Sequence, residues 1–440
     1  MLPFLELFQS SVAPHSLDND GDYKYQGLLR SSHKFASEIS FHLDGNTQER
    51  VAFLCPNNAS YLIAQWACWI SGQIVAGNWH AIDMSTVRLL VACMLPVDIK
   101  ELHFLVLVAR REVWRTLVAC KGLMFLSTLC KYMEVLTVPM NDKHPLPLME
   151  HYVNNSEAKL VVTTRHYAKM IAKLCLKIGS KMLIMDDTLQ ISSRRTDGED
   201  IAALDSFSIG LEPEFYETSE ALIIYTSGTT GLPKGAVLSH RAIQAQVSSL
   251  VQAWGWTRHD GVLHVLPLHH IHGIVNVLTC PLAVGATCVM LPKFDARQVW
   301  RHLLSNARVN IFMAVPTIYM KLIEEYENNL KDREEEVRDI CSNKIRYGMT
   351  ETGMVLSNKL EWERRLGYVG LPLPGVEVQI SGPDYEPLVT GDNSGSVVVS
   401  TDHANGELLV RGPTLFSGYY NKPEATSKEF TQDGWFKTGQ

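Results

Sequence analysis

Short apolar runs alternate with longer stretches of helical periodicity along most of this chain. Residues 51–55 form an apolar strand pattern, followed by a turn at Pro56-Asn57-Asn58 and a segment to about residue 76 in which Ala, Trp and Leu recur at helical spacing. Leu160-Val161-Val162 follows a polar, helix-like stretch over residues 147–159, and similar runs recur at 182–185, 221–225, 261–266, 286–291 and 310–314. Strands that alternate with helices predict a parallel α/β sheet with helices on both faces. Beyond residue 365 the pattern changes to short strands at 376–380, 396–400 and 407–410, separated by Gly, Pro and Asp. The predicted architecture is an α/β unit over residues 1–365 and a smaller β-rich subdomain over 366–440.

Composition narrows the function classes. At 440 residues, with 46% apolar and 20% charged residues, the chain is long enough for more than one packed unit and has ordinary globular usage. Its formal charge of -7 offers no positive field for nucleic acid. Nine cysteines are scattered without a C-x-x-C pair, which suits a reducing, intracellular compartment. The first twenty residues carry no Lys or Arg, so no secretory signal or transit peptide is visible, and no apolar run approaches the length of a membrane span. The mixed-sign run 331–339 reads as a solvated helix face.

The strongest chemical signal is Thr226-Ser227-Gly228-Thr229-Thr230-Gly231-Leu232-Pro233-Lys234-Gly235, directly after the apolar run 221–225. Glycines let backbone N–H groups crowd an anion, hydroxyls add donors, and a lysine brings a compact positive charge to phosphates. A Walker A loop needs Gly-Lys-Ser/Thr, whereas here proline precedes the lysine. Proline also disfavours helix at Leu232, so the loop is expected to join two strands, the second at 236–238. A second motif is Tyr347-Gly348-Met349-Thr350-Glu351, and a third is Leu266-Pro267-Leu268-His269-His270-Ile271-His272-Gly273. The three histidines raise a zinc hypothesis, but no acidic or cysteine ligand accompanies them at a recognised spacing.

The loop string resembles the signature of the adenylate-forming superfamily, which includes acyl-CoA synthetases, luciferases and peptide-synthetase adenylation domains. The 347–351 and 266–273 strings resemble its Y-G-x-T-E and L-P-L-x-H motifs, and residues 406–413, 418–424 and 433–439 resemble the strand and turns before its hinge. Stretches such as HVLPLHHIHGIVN and RYGMTETGM are most similar to mitochondrial malonyl- and methylmalonyl-CoA synthetases. The resemblance implies that a small carboxylic acid attacks the α-phosphate of ATP to give acyl-AMP and pyrophosphate, and that CoA then displaces AMP. It implies that residues 226–231 and Lys234 cradle phosphates, that Tyr347 and Gly348 pack on adenine, and that Thr350 meets the α-phosphate. Glu351, with Thr226, would hold magnesium, and His270 would lie near the acid. Arg346 is a positional candidate for the distal end of a dicarboxylate.

Three departures from the family pattern stand out. Residues 77–137 match nothing in it and are expected to be an insertion. About thirty residues are expected to be missing between Arg346 and Tyr347, taking with them a strand and the adenine loop. The chain stops at Gln440, so the family's C-terminal small domain, with its adenylation lysine, is expected to be absent and activity impaired. Two other readings therefore compete: a catalytically inactive binder of ATP or a partner, and a P-loop NTPase, against which the Pro233-Lys234-Gly235 order speaks.

Overall fold

The computed structural model describes residues 15–18, 21–46, 49–77, 136–140, 142–192, 218–226, 232–305, 308–341, 346–349, 351–358, 368–398 and 405–440. Among these, seven strands form the largest sheet. Numbered along the chain, their spatial order is β19 (Gly418–Tyr419), β8 (Lys234–Ser239), β7 (Glu220–Thr226), β4 (Leu136–Pro139), β3 (Arg50–Leu54), β5 (Leu160–Thr164) and β6 (Lys181–Met185). The neighbours from β7 to β6 pair in parallel, as the alternation of strands and helices predicts. β3 and β5 are buried along nearly their whole length, which is why they read as continuous apolar runs instead of alternating ones.

β3, the helix Ala59–Gly77 and β4 follow one another as a βαβ unit, with β4 lying parallel beside β3. The expected insertion thus interrupts the return from the helix to its strand. Leu136 pairs with Arg50 and Thr137 with Val51, so these two residues already belong to the sheet, and residues 78–135 lie outside the described ones. The helix Ala59–Gly77 packs against the helix Tyr25–His42, and Trp69 Nε1 donates to the Ala221 carbonyl at 3.3 Å, anchoring it to β7.

A second sheet has the order β11 (Ile311–Phe312), β9 (Gly261–His264), β10 (Thr287–Met290), β1 (His15–Asp18) and β2 (Gly21–Lys24). The helix His240–Trp254 leads from β8 to β9 and packs against β7 and β8. Ser239 caps its start by accepting from the Ala242 N–H at 3.1 Å, and Gly255 at φ 60° closes its end. β11 is an edge strand, and on the helix that follows it, Pro316–Asn329, Tyr319, Met320 and Ile323 are exposed. Among the described residues β11 stands at the sheet edge, the position that a strand following this helix would extend. The mixed-sign run forms a short 3-10 turn and the helix Glu334–Cys341, with Lys331, Asp332, Glu334, Glu335 and Glu336 exposed.

The C-terminal part is antiparallel. β12 (Arg346–Met349), β13 (Gly353–Ser357) and β14 (Leu371–Pro372) form one sheet. β17 (Gly395–Val398), β16 (Pro387–Asp392), β15 (Glu377–Ser381), β18 (Glu407–Arg411) and β20 (Phe436–Lys437) form another, matching the short strands expected beyond residue 365. The apolar core is continuous with this part, since Val410, Phe416 and Phe436 pack into the cluster that contains Leu28, Ala221 and Val355.

Candidate active site

β7 and β8 pair antiparallel, with Thr226 opposite Lys234, so the Gly/Ser/Thr segment is the loop of a hairpin. This is the strand-to-strand connection expected from Pro233, and it differs from the strand-to-helix geometry of a Walker A loop. Thr226 Oγ1 donates to the Lys234 carbonyl at 3.4 Å across the hairpin neck. Gly235 is required here because a Cβ would stand 2.7 Å from the Ile223 side chain and 3.3 Å from the Tyr225 ring. Ser227, Gly228, Thr229, Thr230 and Gly231 lie outside the described residues, as does Thr350.

The Lys234 side chain is half-buried and faces two groups that the sequence does not mark. Its Nζ lies 3.4 Å from Glu429 Oε1 and 4.4 Å from the centroid of the Tyr419 ring. Tyr419 Oη in turn donates to Glu351 Oε1 at 3.0 Å, in buried surroundings. Burial, followed by the charge of Glu351, pushes the Tyr419 phenol pKa well above its ordinary value, so the hydroxyl keeps its proton for this bond. Glu351 itself is buried, and its carbonyl accepts from the Phe416 N–H at 2.8 Å. Residues 234, 351 and 419 thus meet although they are far apart in sequence.

Glu351 stands at the turn between β12 and β13. Arg346, Tyr347 and Gly348 belong to β12, of which only the backbone is described; Arg346 pairs with Ser357 and Tyr347 with Leu356, and the register shifts between Tyr347 and Gly348. The strand reaches the site, and the side-chain roles expected for Arg346 and Tyr347 stay expectations.

The histidine-bearing turn meets the residues that precede the helix Leu146–Asn155. The rings of His269 and His270 lie 4.1 Å apart, and His144 meets His269 edge-on at 4.9 Å. His151 donates from Nε2 to the Pro233 carbonyl at 3.0 Å, joining the helix Leu146–Asn155 to the phosphate hairpin. Tyr152 and Tyr225 stack beside it at 4.2 Å, and Tyr225 Oη donates to Asn155 Oδ1 at 2.8 Å. His270 is the exposed member of the group. Burial, then the neighbouring His270 and His144, lowers the pKa of His269 to about 3, and partial burial lowers that of His270, so these two rings are uncharged at neutral pH. Such a surface can approach an anion as a hydrogen-bond donor without a fixed charge.

The turn is held by a close backbone approach. Gly273 opens a wide-turn π-helix, His272–Thr279, and a Cβ at Gly273 would stand 2.4 Å from the Pro267 carbonyl oxygen. The Gly273 carbonyl accepts from His264 Nε2 at 3.0 Å. His264 and His240 are fully buried, and burial lowers their pKa values to about 4 and about 3. Both are neutral when folded and take up protons when unfolded below pH 6.5, so the unfolded state is favoured as pH falls through that value. Unfolding free energy should therefore drop on going from pH 6.5 to pH 5, by about 1.4 kcal/mol per pH unit for each of these histidines. Urea midpoints at pH 7 and pH 5 check this, and His264→Gln should flatten the dependence.

Sequence reasoning named Thr226, Lys234, His270 and Glu351 as candidates, and in the structure Tyr419 bridges Lys234 and Glu351. It missed Tyr419, Glu429, His144 and His151. Tyr419 lies in the Gly-Tyr-Tyr string, which offers a signal, although one that reads as a turn; Glu429 is the residue that ends a short helix, and nothing in its local sequence marks it.

The AMP-binding enzyme family model matches residues 130–344 and 330–420. Malonate–CoA ligase ACSF3, mitochondrial, of Homo sapiens is 34% identical over 96% of this chain and 69% of its own length. A malonate–CoA ligase of Arabidopsis thaliana is 33% identical over 69% of this chain and 53% of its own length. Among solved structures, apo MatB from Rhodopseudomonas palustris superposes over the whole chain and 75% of its own, with a TM-score of 0.68 at 24% identity, which supports the fold. On the match of its motifs, its sequence and its fold, this chain belongs to the AMP-binding enzyme family.

Proposed function

We propose that the chain is an ATP-dependent acid–thiol ligase that activates a small dicarboxylic acid, malonate or methylmalonate, as its acyl-AMP and transfers the acyl group to CoA. The observation that carries this reading is the contact chain from Lys234 through Tyr419 to Glu351, which sets a cation and a carboxylate around the neck of the phosphate hairpin. The acid specificity rests on the malonate–CoA ligases to which the chain is similar, and a mitochondrial location rests on the animal relatives among them, which are named as mitochondrial.

In this reading Lys234 leaves Glu429 for the phosphates of ATP, where its charge follows the pyrophosphate that departs. Residues 226–231 supply N–H and hydroxyl donors to the same oxygens. Glu351 suits a magnesium ion, because it is a buried carboxylate with one oxygen already fixed by Tyr419. Bound there with ATP, the ion would neutralise phosphate charge. Tyr347 and Gly348 would flank adenine and Thr350 the α-phosphate. His270 would orient the attacking carboxylate, and Arg346 would meet a distal one. Orientation of acid against phosphate is the main contribution asked of these residues.

A second reading, an ATP-binding chain without turnover, is favoured by the exposed face of Tyr319, Met320 and Ile323 on the helix after β11, which among the described residues stands at the sheet edge. The experiment that separates the two incubates the full chain with Mg-ATP, CoA and malonate, methylmalonate or acetate. The ligase reading expects AMP, pyrophosphate and a malonyl or methylmalonyl thioester, detected by mass. ATP binding with no AMP formed under any acid would favour the second reading. Inorganic phosphate as product would overturn both.

A further inference from the structure

We propose that Tyr419 is a positioning residue that couples the two charge-handling side chains of the nucleotide site, its ring forming the floor under Lys234 and its hydroxyl fixing the carboxylate of Glu351. The proposal rests on the reading of Lys234 and Glu351 as ATP and magnesium ligands.

The geometry is specific at both ends of the side chain. A cation 4.4 Å from the ring centroid lies within the range of cation–π attraction. The hydroxyl, 3.0 Å from Glu351 Oε1, makes a charge-assisted hydrogen bond in buried surroundings. Committing one carboxylate oxygen to Tyr419 fixes the direction of the other, which is the direction from which a cation is met.

The backbone beneath Tyr419 leaves it little freedom. β19 pairs with β8, setting Tyr419 opposite Ala236, and the Tyr420 N–H donates to the Gly235 carbonyl at 2.8 Å. The Tyr419 N–H donates to Thr426 Oγ1 at 2.8 Å, and Gly418 is packed so closely that a Cβ would stand 2.8 Å from the Thr426 methyl. Phe416, three residues earlier, holds the Glu351 backbone, while Glu429, ten residues later, holds Lys234 Nζ. One short segment therefore grips the phosphate hairpin and the β12–β13 turn together. Displacement of either would be felt by the other through the Tyr419 side chain.

Tyr419→Phe keeps the ring and deletes the hydroxyl. Calorimetric titration of the full chain with ATP, with and without magnesium, measures the gain in affinity that magnesium brings. The phenylalanine variant should lose about tenfold of that gain, the low end for a hydrogen bond to a charged group, while magnesium-free ATP binds within about twofold of wild type. Tyr419→Leu, which removes the ring as well, should also weaken magnesium-free binding. In a Glu351→Gln background, Tyr419→Phe should cost nothing further, because the two residues act through one contact. Thermal unfolding of each variant keeps a folding defect apart from a binding defect. An unchanged magnesium gain in Tyr419→Phe, or losses that multiply in the double variant, would overturn the coupling. Failure of the wild-type chain to bind ATP at all would overturn the reading of the site itself.

Discussion

Lys234→Ala should lower acid-dependent consumption of ATP by about a hundredfold or more, the loss typical when a donor aimed at developing negative charge is removed. The side chain is the cation at the neck of the phosphate hairpin, and Glu429 Oε1 at 3.4 Å is its described ionic partner. That pair is about one-third exposed at both ends, so its loss costs stability no more than about 1 kcal/mol. Turnover and stability should therefore separate, with pyrophosphate release collapsing while the urea midpoint barely moves. Lys234→Arg should not restore the rate, since a planar, delocalised guanidinium does not present the compact point charge of an ammonium to the phosphates. A variant that loses stability and activity together would show that Lys234 holds the fold instead of the phosphates.

The second large effect is expected at Gly273. A methyl group there would meet the Pro267 carbonyl oxygen at 2.4 Å and its carbon at 3.1 Å, both backbone atoms that cannot rotate away. Gly273→Ala must shift the 267–272 turn, strain the bond from His264 Nε2 to the Gly273 carbonyl and move the His269–His270 pair. The cost should be about 2 kcal/mol of unfolding free energy, as for overpacking in a filled core. Because the moved histidines face the acid in the proposed site, KM for the acid should rise several times more than KM for ATP. Denaturant midpoints and the two KM values test this, and a neutral Gly273→Ala would mean that the turn is not what seats the histidines.

The parts of the fold that were legible are those whose side chains report their surroundings locally. β3, β5 and β7 are buried on both faces, so their apolar runs show in the sequence. The β7–β8 hairpin was legible because Pro233 blocks a helix after the loop. β4 was harder, since its four residues follow a long apolar stretch and its beginning is fixed by pairing with β3 instead of by composition. β11, only two residues long, was overread as five for a similar reason.

Within the site, Lys234, Glu351 and His270 sit in contiguous motifs, whereas Tyr419 and Glu429 matter only because folding carries a late segment back to the hairpin. His144 and His151 likewise gain their places through the helix Leu146–Asn155 and the turn before it, which local spacing does not predict. Contacts made across 68 to 195 residues leave no periodicity to read.

The central claim is acid activation at the expense of ATP, and exchange of labelled pyrophosphate into ATP tests it most directly, because exchange needs reversible adenylate formation and no CoA. With the full chain and magnesium, the account predicts exchange that depends on malonate or methylmalonate, exceeds that with acetate and falls to background in Lys234→Ala. A folded, ATP-binding wild-type chain that gives no acid-dependent exchange would contradict it.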